Sequence, residues 1–273
     1  MGILAALMKR RQFLTSSTTV AALAAVMPAL LSRAAEGSSP VGREFYELRL
    51  YHLRRGPMQK RFDDFMRQAA IPALNRAGVS PVGVFDIATG PDNPSKYVLL
   101  PYASPAVFAA AYEAMATDAQ VLASEFTTAA PTDPPFIRME SSLLLAFEGM
   151  PKLEIPKQTA EKKPRLFELR IYESHSPKAN RKKIEMFNVG EIDLFRRTGL
   201  APVFFGEALV GSKLPNLTYM LVYDDMAAHD ANWRAFVTHP EWKKLSTTPG
   251  YTDAEIVSNI TNVFLRPTGY SQV

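Results

Sequence analysis

The sequence predicts an α+β fold in which one module is built twice along a single chain. Phe45-Tyr46-Glu47-Leu48-Arg49-Leu50-Tyr51 returns as Leu166-Phe167-Glu168-Leu169-Arg170-Ile171-Tyr172, a shift of 121 positions (166 minus 45). At that shift Gly78, Pro81 and Val82 fall on Gly199, Pro202 and Val203. Both copies also run strand, helix, strand, strand, helix, strand, the order of a ferredoxin-like unit. At 273 residues with 47% hydrophobic content, the chain can bury the cores of two such modules.

Residues 1–34 read as a targeting segment rather than as part of the fold. Lys9-Arg10-Arg11 is followed by an apolar stretch from Val20 to Leu31 and by Ser32-Arg33-Ala34, the charged, apolar and small-residue parts of a signal peptide. Arg10-Arg11-Gln12-Phe13-Leu14 resembles the twin-arginine export motif, which implies cleavage after Ala34 and a periplasmic or extracellular protein; Met1 and Met8 both stand as starts. The alternative, a membrane anchor, meets a stretch too short to span comfortably and interrupted by Pro28. The segment holds four basic residues and no acid, so the net charge of +4 falls to about zero without it. Nucleic acid is thereby not expected as a partner, nor a membrane anchor after cleavage. With no cysteine, thiol catalysis, Cys-ligated zinc and iron–sulfur clusters are excluded within this chain.

The first module is expected over residues 43–148. A strand at 45–52 turns at Arg55-Gly56-Pro57 into a helix from Met58 to Arg76, where Met58, Phe62, Phe65, Ala69 and Leu74 recur at helical spacing. Pro72 should kink its last turns and Gly78 end it in a left-handed conformation. A strand from Pro81 to Ala88 follows, with Gly83 marking a bulge or a close backbone approach. Thr89-Gly90-Pro91-Asp92-Asn93-Pro94 is a turn, and Lys96 to Tyr102 a third strand. Ser104-Pro105 supplies the N-cap and first-turn proline of a helix through Met115. A short helical piece within 119–126 and a strand within 137–147 complete the module.

Residues 149–163 shift to Pro, Lys, Glu, Gln and Thr and read as a linker with little to bury. The second module, 164–270, repeats the order. Ser176-Pro177 opens a helix ending at Gly199, strands follow at 202–210 and 218–223, and a helix at 227–237 precedes a strand at 256–266.

Alternation in the opening strand puts Tyr46, Leu48 and Leu50 on one face and Glu47, Arg49 and Tyr51 on the other. The second copy separates Phe167, Leu169 and Ile171 from Glu168, Arg170 and Tyr172. The expectation is that the apolar face meets helices while the acid, base and phenol face a space between the two sheets.

The chain resembles the NIPSNAP family over roughly residues 43–148 and 164–270. The resemblance rests on Tyr46 to Tyr51, Gly78 followed by Pro81-Val82-Gly83-Val84-Phe85, Phe167 to Tyr172, and Trp233, Phe236 and His239-Pro240-Glu241-Trp242. It implies that two modules pack sheet against sheet, here as an intramolecular pseudo-dimeric α+β barrel. The first copy has Tyr112, Met115, Asp118 and Val121 where the second has Trp233, Phe236, His239 and Trp242, so the halves are not expected to be equivalent. The wider superfamily includes oxygenases, isomerases and heme enzymes, and fold analogy does not choose among them.

The ligand-binding candidates are Glu47, Arg49, Tyr51 and His52 in the first copy and Glu168, Arg170, Tyr172 and His175 in the second. Arg could orient a carboxylate or enolate, with Tyr as proton donor, or Glu and Arg could form a structural pair. His52 and His175 could ligate heme or a metal, but no spacing among the histidines matches a metal motif. No cofactor and no metal site are therefore expected. Trp233, His239 and Trp242 are candidates for a lid, or for the end of a hydrophobic core. Arg181-Lys182-Lys183 reads as the solvated face of its helix. No phosphate loop or nucleophile elbow is present.

The reading is an exported protein that binds a small organic ligand between its two sheets. The alternatives are a cofactor-independent oxygenase or isomerase, and a non-enzymatic scaffold. An enclosed apolar pocket with converging polar groups favours binding, and a barrel filled solid favours the scaffold. Homo-oligomerisation is left open.

Overall fold

The computed structural model describes residues 42–273, and the leader expected over 1–34 lies outside them. The first half comprises β1 (Phe45–His52), helix α1 (57–76), β2 (Gly83–Thr89), β3 (Lys96–Tyr102), α2 (Pro105–Thr117), α3 (Ala119–Leu122) and β4 (Arg138–Ala146). After a short helix α4 (Lys157–Ala160), the second half comprises β5 (Leu166–Glu173), helix α5 (177–197), β6 (Ala201–Val210), β7 (Asn216–Tyr223), α6 (Met226–Thr238), α7 (Pro240–Ser246), α8 (Asp253–Ile256) and β8 (Asn259–Pro267). Among the described residues no helix is long and apolar enough to cross a membrane.

The eight strands close a barrel in the order β1-β3-β2-β8-β5-β7-β6-β4, every neighbouring pair antiparallel. Each half contributes one four-stranded sheet, β4-β1-β3-β2 or β8-β5-β7-β6. The pairs β2–β8 and β4–β6 join the sheets, so neither half keeps a free edge.

Closure reverses the facing expected of β1 and β5. Tyr46, Leu48, Leu99, Leu144, Phe167, Leu169, Phe204 and Met220 come from both halves and pack into a single cluster inside the barrel. Glu47, Arg49 and Tyr51 point outward beneath α1 and α2, as Glu168, Arg170 and Tyr172 do beneath α5 and α6. An eight-stranded barrel has room for its own side chains or for one small ligand, and here the wholly apolar face goes inward and large side chains from both halves occupy that room. Among the described residues these inward side chains pack against one another, in place of the ligand space expected between the sheets.

Helix α1 runs without a break through Pro57–Phe65, a π-helical stretch Met66–Ala70, and Ile71–Arg76. Helix α5 does the same through Pro177–Met186, Phe187–Glu191 and Ile192–Arg197. The two π stretches are 121 residues apart (187 minus 66). Pro72 is not their cause, because Asp193 occupies its place in the second copy. Gly78 (φ 82°) and Gly199 (φ 85°) follow the two helices in the left-handed conformation.

Ser104 and Ser176 cap α2 and α5 by accepting from the backbone N–H of Val107 (3.3 Å) and Ala179 (3.2 Å). The connection between halves buries more than its composition suggests. Met150 packs into the helix-side core of the second half, and Leu153 against the barrel core. Hydrogen bonds from Glu44 N–H to Pro151 O and from Glu154 N–H to Val203 O strap it to both halves.

Candidate ligand-binding site

The outward side chains of β1 build a polar layer one strand wide. Arg49 donates through Nε (2.7 Å) and Nη2 (2.8 Å) to the two carboxylate oxygens of Glu47, a bidentate pair. Tyr102 of β3 donates to the same carboxylate at 2.9 Å and Ser141 of β4 at 2.8 Å. Burial pushes the Glu47 carboxyl upward, but Arg49, Ser141 and Tyr102 outweigh it and hold it below the ordinary carboxylate range. Glu47 is therefore an ionised, saturated anchor with no lone pair free to act as a base. Burial opposes the charge of Arg49, yet Glu47 and the phenols of Tyr51 and Tyr102 keep its pKa above the ordinary value. Burial and the Glu47 carboxylate push the Tyr102 phenol up, so it stays protonated.

Beside this layer lies a cavity of about 330 Å³ between β1, β3 and α1. Arg49 and Tyr51 form its polar floor, and Phe65, Met66, Met115, Phe126 and Phe136 its walls. Arg49 Nη1 and Tyr51 Oη make no hydrogen bond among the described residues, so both are available to a ligand. The arrangement offers a guanidinium and a phenol at the bottom of an aromatic slot, a combination suited to a planar organic anion.

The equivalent space in the second half is closed. Arg170 donates to Glu168 (2.5 Å) and to Tyr172 Oη (3.0 Å), and Tyr219 donates to Tyr172 (3.0 Å). Tyr223 (3.0 Å) and Trp233 Nε1 (3.1 Å) donate to Glu168. The Trp233 ring covers the Arg170 guanidinium at 4.6 Å. Side-chain size accounts for the difference between copies. At a shift of 121, Met66, Ala70, Leu74, Val98 and Met115 correspond to Phe187, Glu191, Phe195, Tyr219 and Phe236. Each first-copy residue is the smaller, and all five line the cavity.

Lys183, expected on a solvated face, is instead 1% exposed and pairs with buried Glu191 at 3.1 Å. These two stand where Phe62 and Ala70 stand in the first copy. Burial pushes the Glu191 carboxyl up against the opposing pull of Lys183, and the rings of Phe187 and Trp242 lie 5.0 and 5.5 Å from the ammonium.

Of the histidines only His229 reaches a polar layer, its Nε2 lying 3.5 Å from the Glu168 carboxylate in the closed copy. His52 Nε2 lies 2.8 Å from Glu140 at the far end of β1, and His175 is exposed before α5. His239 Nδ1 accepts from Glu241 N–H (3.2 Å) as the N-cap of α7. Trp242 packs on Phe236 with centroids 4.4 Å apart. Of the three lid candidates, then, Trp233 lies directly over an arginine. Among the described residues no group of three or more His, Asp or Glu is placed to hold a metal ion. Sequence reasoning missed Tyr102 and Ser141, which complete the Glu47 cage, and the walls Met66, Phe126 and Phe136. Reading every position against its partner at 121 would have exposed Met66, opposite Phe187, and the missing volume at Val98, opposite Tyr219, but not Phe126 and Phe136, which stand opposite the smaller Thr247 and Val257.

Residues 46–148 and 167–272 both match the family profile described as NIPSNAP. The fold is similar to the crystal structure of a "putative monooxygenase" from Lactobacillus acidophilus NCFM, at 8% identity and a TM-score of 0.55 over 82% of this chain and 94% of that one. It is also similar to an anthrone oxidase-like protein, at 11% identity and a TM-score of 0.50 over 85% and 94% of the two chains. An uncharacterised NIPSNAP-like domain protein from Burkholderia xenovorans matches at 19% identity and a TM-score of 0.36, over 39% of this chain and 88% of that one. No curated protein matches significantly by sequence.

Proposed function

The chain belongs to the NIPSNAP family, and from that premise we propose that it binds a small planar organic anion in the cavity of its first module. The observation that carries this reading is the Arg49 guanidinium, locked by Glu47 at the floor of an aromatic slot with Nη1 unclaimed. The filled barrel by itself favours a scaffold, but a scaffold has no need of a hollow outside the barrel, and the second copy packs the same framework without one. Arg49 would receive a carboxylate, phenolate or enolate oxygen, while Phe65, Phe126 and Phe136 cover the ring faces.

The test uses 2-naphthoate as probe in a calorimetric titration of the described chain. One equivalent should bind, and Arg49→Met should weaken it by about tenfold or more, the effect of losing one charge-assisted contact. Equal affinity in the wild type and the variant would remove Arg49 from the site.

A second reading, turnover of the bound anion by a cofactor-independent oxygenase or isomerase, is supported by the names of the two-module neighbours. It requires a group to take a substrate proton. Glu47 is saturated, and the residues lining the cavity include no other carboxylate and no histidine, so binding is the better supported of the two. Export remains part of the proposal on the leader-like pattern of residues 1–34. Mass spectrometry of the mature N-terminus checks it, and a chain that retains Met1 or Met8 after expression in its host would count against it.

A further inference from the structure

A second hollow adjoins the cavity from outside. It is a groove of about 510 Å³ between α1 and the segment that follows α3, lined by Gln68, Gln120, Ser124 and Glu125 among others. Phe65 and Phe126 line both hollows, and their rings stack with centroids 4.2 Å apart and planes 5° from parallel. This pair is the partition. Phe126 sits in a stretch, 123–137, that contains no helix or strand. Segments of that length without regular structure are commonly binding loops or lids. Arg61 fastens the loop to α1 by donating to the Asp133 carbonyl at 2.9 Å and pairing with its carboxylate.

The groove is polar without free positive charge. Lys60 pairs with Asp64 and Arg61 with Asp133. The side chains of Gln68, Gln120 and Glu125 make no hydrogen bond or ion pair among the described residues. Two amides and an unpaired carboxylate offer acceptors and donors to hydroxyl groups, and the carboxylate disfavours a second anion. The second copy lacks the feature. At a shift of 121, Gln68 and Ser124 become Val189 and Leu245, and Gln120 becomes Glu241, already bound to Arg197. The polar groove therefore accompanies the copy that has the open cavity.

We propose that groove and cavity are two compartments of one site, and that the ligand is an aromatic anion carrying an uncharged, hydroxyl-bearing substituent such as a sugar. The anionic ring lies on Arg49, the substituent reaches past Phe126 into the groove, and Gln68, Gln120 and Glu125 receive its hydroxyls. The ring of Phe126 turns out of its stack to let the ligand span the partition. This rests on the reading of the cavity given above.

The experiment compares 2-naphthoate with the glucoside 6-(β-D-glucopyranosyloxy)-2-naphthoate, the same ring carrying a sugar through an oxygen at C6. The glucoside should bind the wild type about tenfold tighter, the effect of one or two added hydrogen bonds. In the double variant Gln68→Ala/Gln120→Ala, with circular dichroism confirming the fold, the ratio of the two dissociation constants should fall to about one. Equal or weaker binding of the glucoside by the wild type overturns the proposal, as does a ratio that survives the double substitution. Failure of 2-naphthoate itself to bind is a different result: it removes the cavity reading, and the two-compartment site with it.

Discussion

Arg49 and Arg170 hold the same carboxylate partner at the same point of their strands, and their surroundings give them different roles. Arg170 gives Nη1 to Glu168 and Nη2 to Tyr172, leaves Nε buried without a partner and is roofed by Trp233, whereas the nitrogen that Arg49 leaves unpaired, Nη1, stands at a residue lining a hollow. In both copies the acid is what makes a buried guanidinium tolerable. Glu168→Gln would leave Arg170 without its counter-charge, and such a loss typically costs about 3–5 kcal/mol; urea unfolding should show a deficit of roughly that size. A loss under about 1 kcal/mol would mean that the pair is solvated rather than buried. The pH dependence follows from the depressed Glu47 carboxyl. A carboxyl whose folded-state pKa lies below its unfolded value of about 4.3 stabilises the fold above that value and stops doing so as pH falls through the folded pKa. The stability gap between the wild type and Glu47→Gln should be full near neutrality and shrink below about pH 4. A gap independent of pH would assign the effect of Glu47 to packing.

The elements beneath these residues are nearly superimposable in sequence position, down to the π stretches of α1 and α5. A π turn widens a helix locally and is often found at functional sites; here it brings Met66 and Ala70 to the cavity, and Phe187 and Glu191 to the closed copy. What the element does thus depends on what it carries. Val98→Tyr installs in β3 the residue that β7 uses at Tyr219. It should fill the hollow, weaken 2-naphthoate binding at least about tenfold, and leave the unfolding midpoint unchanged or higher, since a void is being filled. Retained binding would place the probe elsewhere.

At the scale of the molecule, neither half is a complete unit. The inward face of the first sheet presents Tyr46, Leu48, Phe85, Ile87, Leu99 and Leu144, and in the intact chain all of these are covered by the second sheet. Residues 42–156 alone would expose that face and two sheet edges. The expected outcome is a dimer that rebuilds a barrel, or aggregation, in sedimentation velocity, and a stable monomer would contradict it. By the same argument the described chain should unfold in one transition, not two.

The repeat at 121 residues and the period-two alternation within each strand were enough to establish from sequence a doubled strand-helix-strand-strand-helix-strand order. Ser104 and Ser176 marked helix starts, and Gly78 and Gly199 helix ends, because caps and left-handed turns are local events. Alternation says which residues share a face, but both faces of a closed sheet are buried, so it does not say which face is inside. Only barrel closure decided that Glu47, Arg49 and Tyr51 lie under helices. Lys183 was misread for a similar reason: a charge run looks solvated until a distant Glu191 and the rings of Phe187 and Trp242 surround it. The site itself depends on volume, on Val98 and Ala70 being small where Tyr219 and Glu191 are large, and volume acquires meaning only when the tertiary structure brings those positions around one arginine.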